Sequence, residues 1–358
     1  MTTTSALDGT SARGSGVNGT GSGGGVKIGS GDRCTGAERT IGPVKIEELR
    51  FQAGDASLAA TLTLPAGERR LPWVLLVPSW LPRGRDGGWD RVAHPSWFAS
   101  PSDARPGLFT RLADAFAARG VATLRYDPRG CGESDGAWEQ VSLFTRIDDA
   151  RDAIGAMRAR PDLDLRRAAI VGHGEGAGIA LSVAIGDPAI GAVGFIGPSA
   201  RSLRGVLRRG AAERERSGVD REHPIVAALD GNLEDLIERA DRRETTMQLG
   251  SIEVSLAAWE QGFRTPAIAL ATMLHRNVVL AHGSGDAWSD AEESLLLADA
   301  LREAGNTPEL QVLAGAGHDL AEADDQAIGA FADALSARME PRELPPVLLA
   351  IEEMSADR

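Results

Sequence analysis

The sequence predicts an α/β fold: a mostly parallel central sheet with helices on both faces and an antiparallel pair at one edge. Three observations predict it. Strand and helix patterns alternate along most of the chain, several strand segments are apolar without interruption, and the first two extended segments follow one another with only a tight turn between them.

The elements run in order. VKIEELRF (Val44–Phe51) and ASLAATLTL (Ala56–Leu64) alternate apolar and polar residues across Gly-Asp, the pattern of a hairpin. WVLLV (Trp73–Val77) is wholly apolar, as a strand covered on both faces must be. LFTRLADAFAARG, from Leu108, has helical spacing and ends at Gly120, a residue suited to stopping a helix. VATLRYD (Val121–Asp127), a helix over Val141–Arg160, AAIVGH (Ala168–His173), a small-residue helix to Ile185 and AIGAVGFIG (Ala189–Gly197) continue the alternation. It resumes later with NVVLAHG (Asn277–Gly283), a helix Ala291–Ala304, PELQVLAG (Pro308–Gly315) and a helix Ala321–Arg338. Residues 41–197 and 277–340 are therefore the expected core.

Between the two core blocks, residues 198–276 read as a helical lid placed over the carboxyl edge of the sheet. Ten arginines and ten acidic residues lie between Ala200 and Glu244, a balance that fits a solvated helix face, with Arg204, Arg208 and Arg209 as candidates to meet an anionic substrate. Residues 1–40 are rich in Gly, Ser and Thr and nearly free of large apolar side chains, so a flexible tail is expected there. A phosphate loop is not, because no buried strand precedes the glycines and no GK[ST] closes them. In residues 341–358, PPVLLAI (Pro345–Ile351) packs back on the domain or on a second subunit, and the sequence leaves a homodimer open.

The 358 residues are 42% hydrophobic and 25% charged, enough to bury a sizeable core, with 4% aromatics, so aliphatic side chains must fill it. A formal net charge of −13 repels phosphate backbones and anionic membranes, so neither nucleic acid nor membrane is an expected partner. Two cysteines, Cys34 and Cys131, make no disulfide framework, and no Cys/His cluster has zinc spacing; a reducing cytoplasm, no metal and no cofactor are expected.

Ligands of open α/β sheets bind at the carboxyl ends of the strands, so the turns there carry the functional information. Val77 is followed by Pro78-Ser79-Trp80-Leu81 and the loop PRGRDGGWD. Tyr126 opens YDPRGCGES, Val171 is followed by Gly172-His173-Gly174-Glu175-Gly176 running into a helix, Leu280 by His282-Gly283-Ser284-Gly285-Asp286, and Leu313 by the turn containing His318.

YDPRGCGES, GHGEG, HGSGD and GAGH occur in an order that resembles the α/β-hydrolase family, over roughly Ile41 to Arg338. The resemblance implies an α/β-hydrolase fold in which Asp286 matches the acid and His318 the base of a Ser/Asp/His triad. It also places the family's lid at residues 198–276. One departure matters most. The family's elbow is G-x-S-x-G, and its nucleophile position is Gly174 here, which has no side chain to acylate. Gly132-Glu133-Ser134-Asp135-Gly136 matches the motif literally, but neither a strand nor a helix abuts it as an elbow requires; Ser79 and Cys131 are weaker nucleophile candidates still.

What remains is a general base without a nucleophile: Asp286 orienting His318. The backbone N–H of Glu175 at a helix start, with that of Ser79 or Trp80, forms an expected anion-binding pair. Trp80, His173, Gly174 and Trp259 are expected around the substrate, with Trp89 nearby; the competing reading of the tryptophans is ordinary core, and of His173 and His282 simple packing. Asp127 and Arg129 read as a turn-stabilising pair.

This inventory suits three functions. A lyase uses the dyad to remove a proton while a carboxylate such as acetate leaves, and the chain looks like the acetate-eliminating α/β-hydrolase-fold lyases of spirotetronate polyketide biosynthesis, which act on an acylated tetronate. A hydrolase uses His318 to activate a water that attacks an ester or thioester. A pseudoenzyme keeps the pocket to bind. In each, the partner is an acylated small molecule.

Overall fold

The computed structural model describes residues 44–67, 70–79, 81–90, 107–219 and 223–356. The expected tail over residues 1–40 lies outside them, as does Trp80.

The chain forms β1 (Val44–Ala53), β2 (Ala56–Pro65), β3 (Leu71–Val77), α1 (Leu108–Ala117), β4 (Ala122–Tyr126), α2 (Leu143–Arg158), β5 (Leu163–His173), α3 (Gly176–Gly186) and β6 (Ile190–Ile196). The segment between β6 and the next core strand holds α4 (Leu203–Ser217), α5 (Pro224–Gly231), α6 (Leu233–Asp241), β7 (Thr246–Leu249), β8 (Ile252–Ser255), α7 (Ala257–Arg264) and α8 (Ala267–Ala271). Then come β9 (Asn277–Gly283), α9 (Ala291–Glu303), β10 (Glu309–Leu313), α10 (Asp325–Ser336) and α11 (Pro346–Ala356).

Among the described residues eight strands make one sheet in the order β1-β2-β4-β3-β5-β6-β9-β10. Only β2 runs against its neighbours: β1 pairs with it antiparallel from Val44↔Pro65 to Ala53↔Ala56, and β4 pairs with its other edge antiparallel, whereas the remaining pairings are parallel. The continuous apolar run in β3 has the expected cause. Trp73, Leu75 and Val77 face a core layer built with α2, α3 and α9, whereas Val74 and Leu76 face a second layer built with α1 and α10.

Helix starts were less legible than helix bodies. α2 begins at Leu143 rather than Val141, because Ser142 Oγ accepts the Thr145 N–H at 3.0 Å and so fixes the first turn. α10 begins at Asp325, not Ala321, because Asp324 accepts from the Ala327 N–H at 2.8 Å.

The segment from 198 to 276 differs from the all-helical expectation. It contains the antiparallel hairpin β7–β8, turned at Gly250, which has a φ of +62°. Its inward residues Met247, Leu249 and Val254 join a separate apolar cluster with Val226, Leu236, Trp259 and Phe263, into which Leu81, Cys131, Trp138 and Trp288 also pack. The C-terminal apolar run packs back on its own domain: Leu344 and Leu348 close against Leu165 and Ala189, and Arg166 pairs with Glu352 at 2.7 Å. No helix of the described residues is long and apolar enough to cross a membrane.

Candidate active site

The site lies at the carboxyl ends of β3, β5, β9 and β10, where the parallel strands leave a crevice. β5 hands over to α3 through a sharp turn at Gly174, which has a φ of +57° and donates its N–H to the Ile196 carbonyl at 2.8 Å. The turn is tight: a Cβ on Gly172 would sit 2.1 Å from the Gly176 carbonyl oxygen, so no side chain fits there.

The turns after β9 and β10 bring Asp286 and His318 together. His318 Nδ1 and Asp286 Oδ2 are 2.7 Å apart. The other carboxylate oxygen accepts the N–H groups of Trp288 at 2.7 Å and Ser289 at 3.0 Å. His282 also supports the acid. Its Nε2 faces the Ser289 carbonyl at 2.7 Å, so that nitrogen must carry the proton, and the same nitrogen lies 3.2 Å from Asp286 Oδ2. Its Nδ1 accepts from Ser294 Oγ at 2.7 Å. The expected packing role of His282 is therefore only half the account.

These contacts set the charges. Burial opposes ionisation of Asp286, but His318 and His282 beside it hold its carboxyl well below the usual carboxylate range. Burial likewise opposes protonation of His318, yet the Asp286 charge and hydrogen bond outweigh it and raise the imidazole above its ordinary value. His173 behaves in the opposite way: burial, reinforced by His318, lowers it to about 3, so its ring is neutral.

His318 Nε2 points at the elbow. A Cβ placed on Gly174 would lie 2.9 Å from His318 Nε2, 2.7 Å from Ser79 Oγ and 3.2 Å from Ser79 Cβ. The imidazole and the Ser79 hydroxyl thus close in around the position a side chain would take.

Glu175 opens α3, and its buried carboxylate forms an ion pair with Arg146, whose guanidinium also donates to the carbonyls of Ser79 at 2.8 Å and Pro78 at 3.2 Å. One arginine thus joins the two segments expected to supply the anion-binding N–H groups. Burial raises the Glu175 carboxyl, and Arg146 counters it.

Ser79, Gly174, Glu175, Trp288, Ser289 and His318 line a cavity of about 920 Å³, counted to its open mouth, whose facing wall comes from Leu203, Val206, Leu207 and Thr265. That mixture of an apolar wall and a few converging polar groups suits a small molecule with one reactive end. Two expected pocket residues are elsewhere. His173 is fully buried behind His318, its Nε2 donating to the His318 carbonyl at 3.1 Å. Trp259 belongs to the apolar cluster between the insertion and the loops below it and lines a separate cavity of about 430 Å³ with Trp138 and Val141. Trp89 stacks under the Arg83 guanidinium and beside Trp288.

Other candidates have structural employment. Ser134 Oγ donates to the Asp127 carbonyl at 2.6 Å and accepts the Ala59 N–H at 2.9 Å, and Cys131 is buried with its thiol pushed far up by desolvation. Asp127 and Arg129 do not pair with each other: Asp127 holds Arg85, and Arg129 holds Asp149 at 2.9 Å and Asp55 at 2.6 Å. Arg204, Arg208 and Arg209 are ion-paired to Asp241, Glu234 and Glu293.

Among the described residues His173, His318 and Asp319 bring possible metal-ligand atoms within 4.8 Å of one another. The set suits an ion pair better than a cation. The buried Arg83 already neutralises Asp319 at 2.9 Å, His318 Nδ1 is engaged by Asp286, and His173 Nε2 needs its proton for a carbonyl.

A model of the alpha/beta hydrolase family matches residues 74–334, which include the second half of β3, the turn at Gly174 and the turns that carry Asp286 and His318. The chain belongs to the α/β-hydrolase family. Within it, the chain is 33% identical over 93 residues to the thiohydrolase apmlB of Arthrinium phaeospermum, covering 26% of this chain and 30% of that protein. It is 29% identical over 195 residues to the acyltransferase drtE of Aspergillus calidoustus, covering 52% and 56%. The chain thus matches about a third to a half of the length of these relatives. Among solved structures it resembles Est1E from Butyrivibrio proteoclasticus, with 15% identity, a TM-score of 0.54 and coverage of 81% of this chain and 99% of that one, a likeness in fold alone. The fold is that family's, and the contact between His318 and Asp286 lies beside Gly174 at the turn from β5 into α3.

The structure brings together Asp286 and His318, the pair the sequence singled out, whereas the Trp288 and Ser289 amides and the Arg146 clamp were not read from sequence. Arg146 carried no signal, since its targets lie 67 and 68 residues away.

Proposed function

We propose that this α/β-hydrolase-fold protein is a carbon–oxygen lyase that eliminates a carboxylate, acetate in the simplest case, from an acylated small molecule. The observation that carries the reading is the arrangement at the elbow: an imidazole oriented by a buried carboxylate aims its free nitrogen at a glycine where the family keeps its nucleophile. His318 Nε2 takes the proton from a carbon next to the one bearing the acyloxy group. The C–H electron pair becomes the new π bond, and the C–O pair leaves with the carboxylate. No covalent intermediate is needed, and the anion that develops meets the α3 N-terminus. An acylated tetronate of polyketide origin is the substrate class in this reading, and the reaction belongs in the cytoplasm.

A second reading, hydrolysis by water activated at His318, has the similarity to a thiohydrolase in its favour. One experiment separates them. The protein is given an acetoxymethyl tetronate in ¹⁸O-water and the products are resolved by mass spectrometry. Elimination yields an exocyclic alkene and unlabelled acetate. Formation of the alcohol with labelled acetate rejects the lyase, and an unchanged substrate rejects both reactions.

A further inference from the structure

We propose that Ser79 is a second catalytic residue, its side-chain hydroxyl donating a hydrogen bond to the carboxylate as it leaves; the inference rests on the elimination reading above. The geometry at the elbow points to it. Ser79 Oγ and His318 Nε2 flank a single point, 2.7 and 2.9 Å from the position a Gly174 Cβ would take, and both residues line the cavity. In an elimination the departing proton and the departing oxygen sit on neighbouring carbons. The base and the group that receives the leaving oxygen must therefore converge on one small region, and a hydroxyl beside the base meets that demand where a distant one cannot.

Ser79 is also held and available. Arg146 fixes its carbonyl from the opposite side at 2.8 Å, and that arginine is itself ion-paired to Glu175. Among the described residues no partner engages the Ser79 hydroxyl, which leaves its proton for a ligand. During the step Ser79 keeps that proton and only shares it. The proton removed from carbon rests on His318 Nε2 and passes to solvent after the carboxylate departs.

The test compares wild type, Ser79→Ala and Ser79→Thr on acyloxymethyl tetronates that differ only in leaving group: acetate, methoxyacetate and chloroacetate. Wild-type products are identified first, so an alcohol in place of the alkene defeats the elimination reading before any variant is made. With the alkene formed, Ser79→Ala is expected to lower kcat for the acetate substrate roughly 10²-fold, as loss of one donor to developing charge does. The deficit shrinks from acetate to chloroacetate, because a better leaving group needs less help, and Ser79→Thr recovers most of the rate. An equal loss with all three leaving groups means Ser79 merely supports the fold and overturns the proposal, as does an unimpaired Ser79→Ala. A stable acyl adduct on Ser79 in intact-protein mass spectra also overturns it, because the residue is then a nucleophile.

Discussion

His318 Nδ1 lies 2.7 Å from Asp286 Oδ2 although 32 residues separate the two. The contact is built at the carboxyl ends of the last two parallel strands: β9 leads to the acid, β10 to the base, and α9 spans the gap between them. Two backbone amides and His282 hold the carboxylate independently of the imidazole. The orientation of His318 is therefore set by the fold and not by substrate.

The pH dependence follows from this contact. A base must be neutral to accept a proton, and Asp286 raises the His318 pKa, so kcat/KM is expected to climb with pH through a value above that of an ordinary histidine. Asp286→Asn removes the charge and moves this acid limb to lower pH while the plateau drops roughly 10²-fold or more. His173, neutral across the working range, adds no second limb. A pH–rate profile of both proteins checks it; an unmoved limb in Asp286→Asn rules out the dyad.

At Gly174, the family's own residue is expected to do harm. A side chain there takes a left-handed conformation, which costs about 1–2 kcal/mol for an L-residue, and its Cβ meets Ser79 Oγ and His318 Nε2 at under 3 Å. Gly174→Ala is expected to lower the melting temperature and to cut turnover by displacing the imidazole. Gly174→Ser restores an esterase only if both neighbours retreat, so Gly174→Ser combined with Ser79→Gly is expected to show more p-nitrophenyl acetate hydrolysis than Gly174→Ser alone. Equal hydrolysis by the two would show that Ser79 does not crowd the elbow.

How much of this was legible in sequence depends on how local each signal is. β3 is an uninterrupted apolar run, β5 and β9 carry shorter ones at Ala168–Val171 and Val278–Ala281, and the strand-end turns carry Gly, Asp and His in recognisable order, so the sheet and the pairing of Asp286 with His318 were legible. The β7–β8 hairpin was missed because its four-residue strands sit in a segment whose charge suggests helix. Trp259 was misplaced because a tryptophan at helical spacing serves a pocket wall and a satellite core equally well. Arg146, Arg83 and Arg214 act on residues that the fold brings to them: Arg83 reaches Asp319 across 236 positions.

The insertion's exposed arginines are expected to be silent. Arg208 donates two hydrogen bonds to Glu234, at 2.7 and 2.5 Å, on a solvated face, where water screens the pair and it contributes little. Arg208→Ala should leave KM for an anionic tetronate unchanged and stability almost so. A severalfold rise in KM, measured by steady-state kinetics, would return Arg208 to the substrate-binding set.

Arg214 is expected to be the opposite case. It comes from α4, is fully buried, stacks its guanidinium 3.9 Å over the Trp288 ring, and donates to both oxygens of Asp230. Trp288 in turn donates its backbone N–H to Asp286, and its ring stands 6.3 Å from that of His318. The insertion therefore braces the acid of the dyad through one tryptophan. Arg214→Ala leaves Asp230 without its cation and Trp288 without its cover, a loss of about 3 kcal/mol on the scale of a broken buried pair, since Asp230 keeps some access to water. Arg214→Lys retains the charge but neither the fork nor the planar stack, so it falls between. If Trp288 loosens its grip on Asp286, the carboxylate supports His318 less well, and the acid limb of kcat/KM shifts to lower pH in the order wild type, Arg214→Lys, Arg214→Ala. Urea unfolding and the pH profile read the two effects separately. Destabilised variants whose acid limb stays in place would confine Arg214 to packing and leave the dyad held by the core alone.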